Sequence, residues 1–110
     1  MKILAAILVL LCVCGCTTYL PNGCLVEAAS YRYSLQAKGA LQHGWAKILI
    51  IGFNDQDVQH AALVFSTNGS DRHVYDAWAG SLPVRNCNTP LEVACRVYGN
   101  RRVAYAYYLN

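Results

Sequence analysis

An α+β domain is the fold class this sequence predicts, and three observations carry it. Apolar residues recur at helical spacing after Asn22, β-branched and aromatic runs flank an Asn-Gly step, and a capping-box pattern opens a short segment before a final alternating run. Asn22 is placed to cap a helix whose first turn holds Gly23, Cys24 and Leu25; it runs through Val26, Ala28, Ala29, Tyr33 and Leu35 and stops at Lys38-Gly39. After Gln42-His43-Gly44, residues Trp45 to Phe53 read as a nearly buried strand that ends at Asn54-Asp55. Strands at Val58 to Phe65 and at His73 to Trp78 follow, and Asn68-Gly69 between them predicts a hairpin. Gly80 to Asn88 reads as a loop. Thr89-Pro90-Leu91-Glu92 then reads as a capping box with Pro at the first helical position, opening a short helix closed by Gly99. Leu91 to Tyr98 also fits a strand turned through Gly99-Asn100, and the sequence leaves both open. Arg101 to Leu109 alternates as the last strand. The expected architecture is a small antiparallel sheet packed on the first helix.

The chain has 110 residues, 55% hydrophobic and 14% charged, with a formal charge of +3. One small domain is the ceiling, and the apolar content excludes a disordered charged tail. The longest basic run is Arg101-Arg102, so nucleic acid is not an expected partner. Met1-Lys2 precedes the apolar run Ile3 to Val13, too short for the ~20 residues of a spanning helix, which reads as an export signal.

Val13-Cys14-Gly15-Cys16 resembles the bacterial lipobox. That resemblance implies a lipoprotein signal peptide at 1–15, lipid attachment at Cys16, a tether over 16–22 and a domain over 23–110. It also implies a lipid-anchored protein of the bacterial cell envelope, at the outer membrane facing the periplasm, since Thr17 follows the anchor. An ordinary signal peptide cut near Gly15 or Thr17 is the alternative.

Export implies an oxidising compartment. With Cys16 assigned to lipid, Cys87 and Cys95 are expected to form a disulfide that closes the loop over Asn88-Thr89-Pro90, worth ~2–3 kcal/mol by chain entropy. Cys24 is then left alone. Without lipid, Cys16 could pair with Cys24 and the protein would be a small disulfide module.

Cys24 falls in the first turn of the long helix, where unpaired N–H groups and the dipole stabilise a thiolate. His60 on the second strand is the candidate general base. Under the period of two, His60 shares a face with Ala62 and Val64, and Asp76 shares one with Val74 and Trp78, so neighbouring strands can present His60 and Asp76 to the same side. Each residue also has a plainer reading: Cys24 as a core cysteine, His60 as a satisfied structural histidine, Asp76 as a turn cap.

The segments Asn22-Gly23-Cys24-Leu25-Val26-Glu27-Ala28, Gln59-His60-Ala61-Ala62-Leu63-Val64-Phe65 and Val74-Tyr75-Asp76-Ala77-Trp78 together resemble the transglutaminase-like and papain-like cysteine hydrolase superfamily. This implies a papain-like core and a Cys24–His60–Asp76 triad that cleaves an amide or peptide bond through a thioester. It also implies an oxyanion site formed by the Cys24 N–H and a donor assigned to Asn22. Ala61 stands where many transglutaminase-like proteins have Trp, and Asp76 where papain-like enzymes use Asn, so the transglutaminase-like side fits better. A peptide or protein substrate is expected, with no cofactor; a zinc site lacks paired ligand spacing. Trp45, Tyr75 and Trp78 are candidates for the substrate groove, whereas Tyr105 and Tyr107 read as sheet packing and His43 and His73 as surface or loop residues. The opposing reading is a non-catalytic binding lipoprotein on the same core.

Overall fold

The computed structural model describes residues 23–109. The signal peptide at 1–15, the Cys16 anchor, the 16–22 tether and the Asn22 cap lie outside the described residues. The element order is α1 (Gly23–Ala37), β1 (Trp45–Phe53), β2 (His60–Ser66), β3 (Arg72–Asp76), β4 (Gly80–Val84), α2 (Pro90–Tyr98) and β5 (Val103–Leu109). The strands form one antiparallel sheet in the order β4-β3-β2-β1-β5. The fold is therefore α+β, with a four-strand meander and a fifth strand that returns beside β1 after α2.

The sheet is covered on both faces, which explains why β2 is buried at all seven positions. Alternation sends Ala61, Leu63 and Phe65 of β2 and Ile48 and Ile50 of β1 to one face, against Ala28 and Leu35 of α1. Ala62 and Val64 join Leu49, Ile51, Phe53 and Val74 on the other face, against Val93 and Ala94 of α2. The expectation of a sheet packed on the first helix thus holds for one face, and α2 builds a second core on the other.

Residues Leu91 to Tyr98 are helical. Thr89 accepts from the Glu92 N–H at 3.1 Å while Glu92 accepts from the Thr89 N–H at 3.0 Å, so the capping box satisfies donors at both ends of the first turn. Gly80 to Asn88 is not all loop, because Gly80–Val84 forms β4 with Asp76 opposite Gly80 and Arg72 opposite Val84. The turn between β3 and β4 is set by the Asp76 side chain, which accepts from the Trp78 and Ala79 N–H groups at 2.8 and 3.3 Å, and by Gly80 at φ +80°. It ends β3 at Asp76, two residues before the expected Trp78. Pro83 is accommodated because β4 is an edge strand.

The expected Cys87–Cys95 disulfide is not formed; both thiols are free. Cys87 turns its Sγ to the Arg85 carbonyl at 3.4 Å, and arginines fasten this segment instead. Arg96 donates to the Arg85 carbonyl at 3.0 Å, and Arg72 donates to the Cys87 carbonyl and to Asn88 Oδ1.

Gly44 enters β1 against the end of β2, where an added Cβ would lie 1.7 Å from the Ser66 carbonyl oxygen. Gly44→Ala must displace backbone and is expected to destabilise the fold by ~1–3 kcal/mol, the range for overpacking. Urea denaturation measures this, and an unchanged midpoint would contradict the close approach.

Candidate active site

Cys24 is the second residue of α1, in a turn whose N–H groups lack intrahelical partners and which contains no acidic residue. Negative charge on its sulfur therefore meets only the favourable end of the helix dipole. Sγ accepts from the Ala61 N–H at 3.3 Å, which fixes it against the first residues of β2. His60 is the first of those residues. It faces α2 by alternation, but at the strand end its ring comes close enough to the Cys24 sulfur to lower the pKa of the thiol.

Asp76 ends β3. The register pairs Leu63 with Tyr75 and Val64 with Val74, and its continuation sets Asp76 opposite Ala62, one diagonal step from His60 on the same face. His60 Nε2 lies 2.7 Å from Asp76 Oδ2. Nδ1 is then the ring nitrogen left for Cys24. Tyr98, the last residue of α2, donates its hydroxyl to the same Oδ2. With the Trp78 and Ala79 N–H groups on Oδ1, the buried carboxylate receives four donors.

Aromatic rings enclose the imidazole. Trp78 stacks on it at 4.7 Å and 18°, and Tyr98 meets it edge-on at 5.5 Å. Phe53 lies 6.2 Å away and packs edge-on against Tyr98. Water is thereby kept from the His60–Asp76 contact, which strengthens it.

Protonation follows from these contacts. The His60 hydrogen bond is the largest influence on Cys24; burial opposes it, the Ala61 N–H and the His60 charge reinforce it, and the thiol is held below its ordinary 9.0. Burial alone would lower His60, but hydrogen bonds to Asp76 and Cys24 and their charges raise it from 6.5 to about 9. Burial would raise Asp76; the His60 and Tyr98 hydrogen bonds, the Trp78 N–H and the His60 charge lower it to about 2. Burial and the adjacent carboxylate raise Tyr98, keeping it a donor. The arrangement favours a thiolate beside an imidazolium held by a carboxylate.

The structure thus brings together Cys24, His60, Asp76 and Trp78. It does not bring Trp45 or Tyr75. Trp45 pairs with Ser66 at the opposite end of β2 from His60, about 20 Å away at ~3.3 Å per residue, and packs with Lys47 and Arg72. Tyr75 neighbours Asp76 in sequence, but alternation turns it to the α1 face, where it stacks on Tyr31 at 3.9 Å and 1°. His73 lies in β3, half-buried, and stacks on Phe65 at 5.4 Å, so it is a strand residue and not a loop residue. Tyr98 was not among the expected site residues, because only the docking of α2 brings it to Asp76. An open cleft of about 780 Å³ lined by Arg72, His73, Arg85, Asn86 and Asn88 contains none of the site residues. Among the described residues, no group of three His, Cys, Asp or Glu side chains is placed to hold a metal ion.

Comparison with known protein families, with characterised proteins and with solved structures finds no match to this chain.

The His60–Asp76 pair makes stability depend on pH. His60, raised to about 9, contributes fully below its unfolded 6.5 and loses its contribution as pH rises through about 9. Asp76, lowered to about 2, contributes fully above its unfolded 3.8 and loses its contribution as pH falls through about 2. The stability difference between the wild type and Asp76→Asn is therefore expected to be largest between pH 3.8 and 6.5. It should narrow as pH rises from 6.5 to about 9, and a difference still widening over that interval by urea titration would refute the assignment.

Proposed function

We propose that this chain is a cell-envelope cysteine hydrolase that cleaves an amide or peptide bond, on a papain-like core of the transglutaminase-like kind. The observation that carries this reading is the His60 ring bound through Nε2 to Asp76 Oδ2 at 2.7 Å, with the Cys24 sulfur near enough for the ring to lower the pKa of the thiol. A structural histidine needs one partner; this one has an orienting acid bonded to one nitrogen and a nucleophile beside the ring.

The chemistry balances with water as the co-substrate. The Cys24 thiolate adds to the amide carbonyl carbon, and the resulting oxyanion is met by the Cys24 N–H, with Asn22 as the proposed second donor. The His60 imidazolium gives its proton to the amide nitrogen, the C–N bond breaks, and the amine leaves a thioester. Neutral His60 then takes a proton from water as the oxygen adds to the thioester carbonyl. The C–S bond breaks, the acid is released, and thiolate and imidazolium are restored. Asp76 touches no reacting atom and acts by positioning the ring and stabilising its charge.

The reading extends to a lipid anchor at Cys16 that tethers the domain to the outer membrane, with a peptide or protein substrate in the periplasm. Its support is the Val13-Cys14-Gly15-Cys16 sequence.

Alkylation by iodoacetamide tests the thiol without a known substrate. Labelling of Cys24 is expected to reach half its maximal rate below the ordinary thiol range, and to hold its plateau as His60 deprotonates, since the thiolate persists. His60→Ala should return it to the ordinary thiol profile near ~8.5. An ordinary profile in the wild type removes the hydrolase reading and leaves a binding protein. For the anchor, intact mass of the membrane fraction should show a chain beginning at Cys16 with a diacylglyceryl increment; that chain without the increment would rule the anchor out.

A further inference from the structure

The faces around Cys24 are not equally open. On the β3 side, Tyr31 and Tyr75 stack at 3.9 Å and fill the space between α1 and the sheet. Beyond the strand end, Trp78 covers His60. On the β1 side, the register carries one row from Ala61, whose N–H holds Sγ, to Ile50 and then to Tyr107 of β5. Two strand spacings make this row about 10 Å long, the reach of roughly three extended residues. α1 packs chiefly on β2, and Tyr105, Tyr107 and Leu109 at the far end are 44%, 43% and 41% exposed.

These tyrosines do more than pack. Tyr105 lies over Gly52, where an added Cβ would meet its ring at 2.2 Å, and runs nearly parallel to Tyr107 at 6.2 Å and 16°. Its hydroxyl accepts from Gln59 Nε2 at 2.7 Å, and Gln59 immediately precedes His60. This fixes an exposed amide whose second N–H and Oε1 have no partner among the described residues, a donor and an acceptor that match one peptide unit. The residues of this face, Ile48, Ile50, Gly52, Ala61 and the β5 tyrosines, with Gln59 at the strand end, carry no charge.

Resting on the hydrolase reading above, we infer that the β1–β5 face is the substrate-binding ledge. Gln59, positioned by Tyr105, grips a peptide unit of the substrate, and the Tyr105–Tyr107 pair holds an uncharged apolar or aromatic side chain about three residues from the scissile bond. The substrate class is then a peptide with an apolar residue about three positions from the cleaved amide. Gln59 and the tyrosines are specificity residues and take no part in bond breaking.

The probes are acetyl-tripeptidyl chloromethyl ketones of Phe-Ala-Ala, Asp-Ala-Ala and Lys-Ala-Ala, whose first residue reaches the tyrosine pair, with iodoacetamide as the reagent that needs no ledge. Inactivation of Cys24 by the Phe reagent is expected to exceed that by the Asp and Lys reagents about tenfold, the factor one good aromatic contact supplies. Tyr107→Ala should erase the preference and leave the iodoacetamide rate unchanged. Tyr105→Phe, which keeps the ring over Gly52 and frees Gln59, should slow all three peptidyl reagents together and iodoacetamide not at all. Equal rates for the three peptidyl reagents would overturn the ledge, as would a preference that survives Tyr107→Ala. A dimer converted to monomer by Tyr107→Ala with the preference intact would also overturn it, making the face a contact between copies. An ordinary iodoacetamide pH profile instead removes the hydrolase reading itself, so the two failures are distinguishable.

Discussion

Four donors converge on the Asp76 carboxylate, and the geometry of the site descends from that convergence. A buried carboxylate without partners costs several kcal/mol, whereas charge-assisted hydrogen bonds contribute ~1.5–3 kcal/mol each and offset it. The four come from different places: the turn into β4, the start of β2 and the end of α2. One side chain thereby ties the β3–β4 turn to the His60 orientation and to the docking of α2. Oδ1 caps the turn and Oδ2 meets the histidine, so the structural and functional readings of Asp76 are both true, one on each oxygen.

A second constraint is the sheet itself. Cys24 belongs to the α1 face, and His60 and Asp76 belong to the α2 face, so a fully covered sheet would keep them apart. They meet because His60 is the first residue of β2 and Cys24 the second of α1, which puts both at the one edge where a side chain can pass from face to face. The aromatic residues are divided along the same line. Trp78, Tyr98 and Phe53 enclose the imidazole on the α2 side, and Tyr31 with Tyr75 closes the β3 flank of the cysteine on the α1 side.

The fastening of the carboxyl-terminal segment illustrates a choice between covalent and non-covalent means. Cys87 and Cys95 both pack in or against the α2 core as free thiols. Arg72 and Arg96 supply the closure by donating to the carbonyls of Arg85 and Cys87, which satisfies loop backbone that would otherwise lack partners.

By itself the sequence determined the elements whose signals are local. Helical spacing after Gly23, the β-branched runs, the Asn68-Gly69 turn and the Thr89–Glu92 capping box each act within a few residues, and α1, the paired strands and α2 follow from them. It also placed Cys24 at a helix start and His60 and Asp76 on strand faces of like parity, because alternation depends only on counting by two. The same counting assigns Tyr75 to the face opposite Asp76, although adjacency in the chain suggested a shared groove. Only the tertiary structure decided the rest. Strand β4 exists because an Asp76 oxygen folds the turn before it, a bond invisible in Gly80-Ser81-Leu82-Pro83-Val84. The β2–β3 register, the placing of Trp45 about 20 Å from His60 at ~3.3 Å per residue, and the arrival of Tyr98 at Asp76 are contacts between residues far apart in sequence. No local propensity encodes them, since they arise only when both faces of the sheet are buried together.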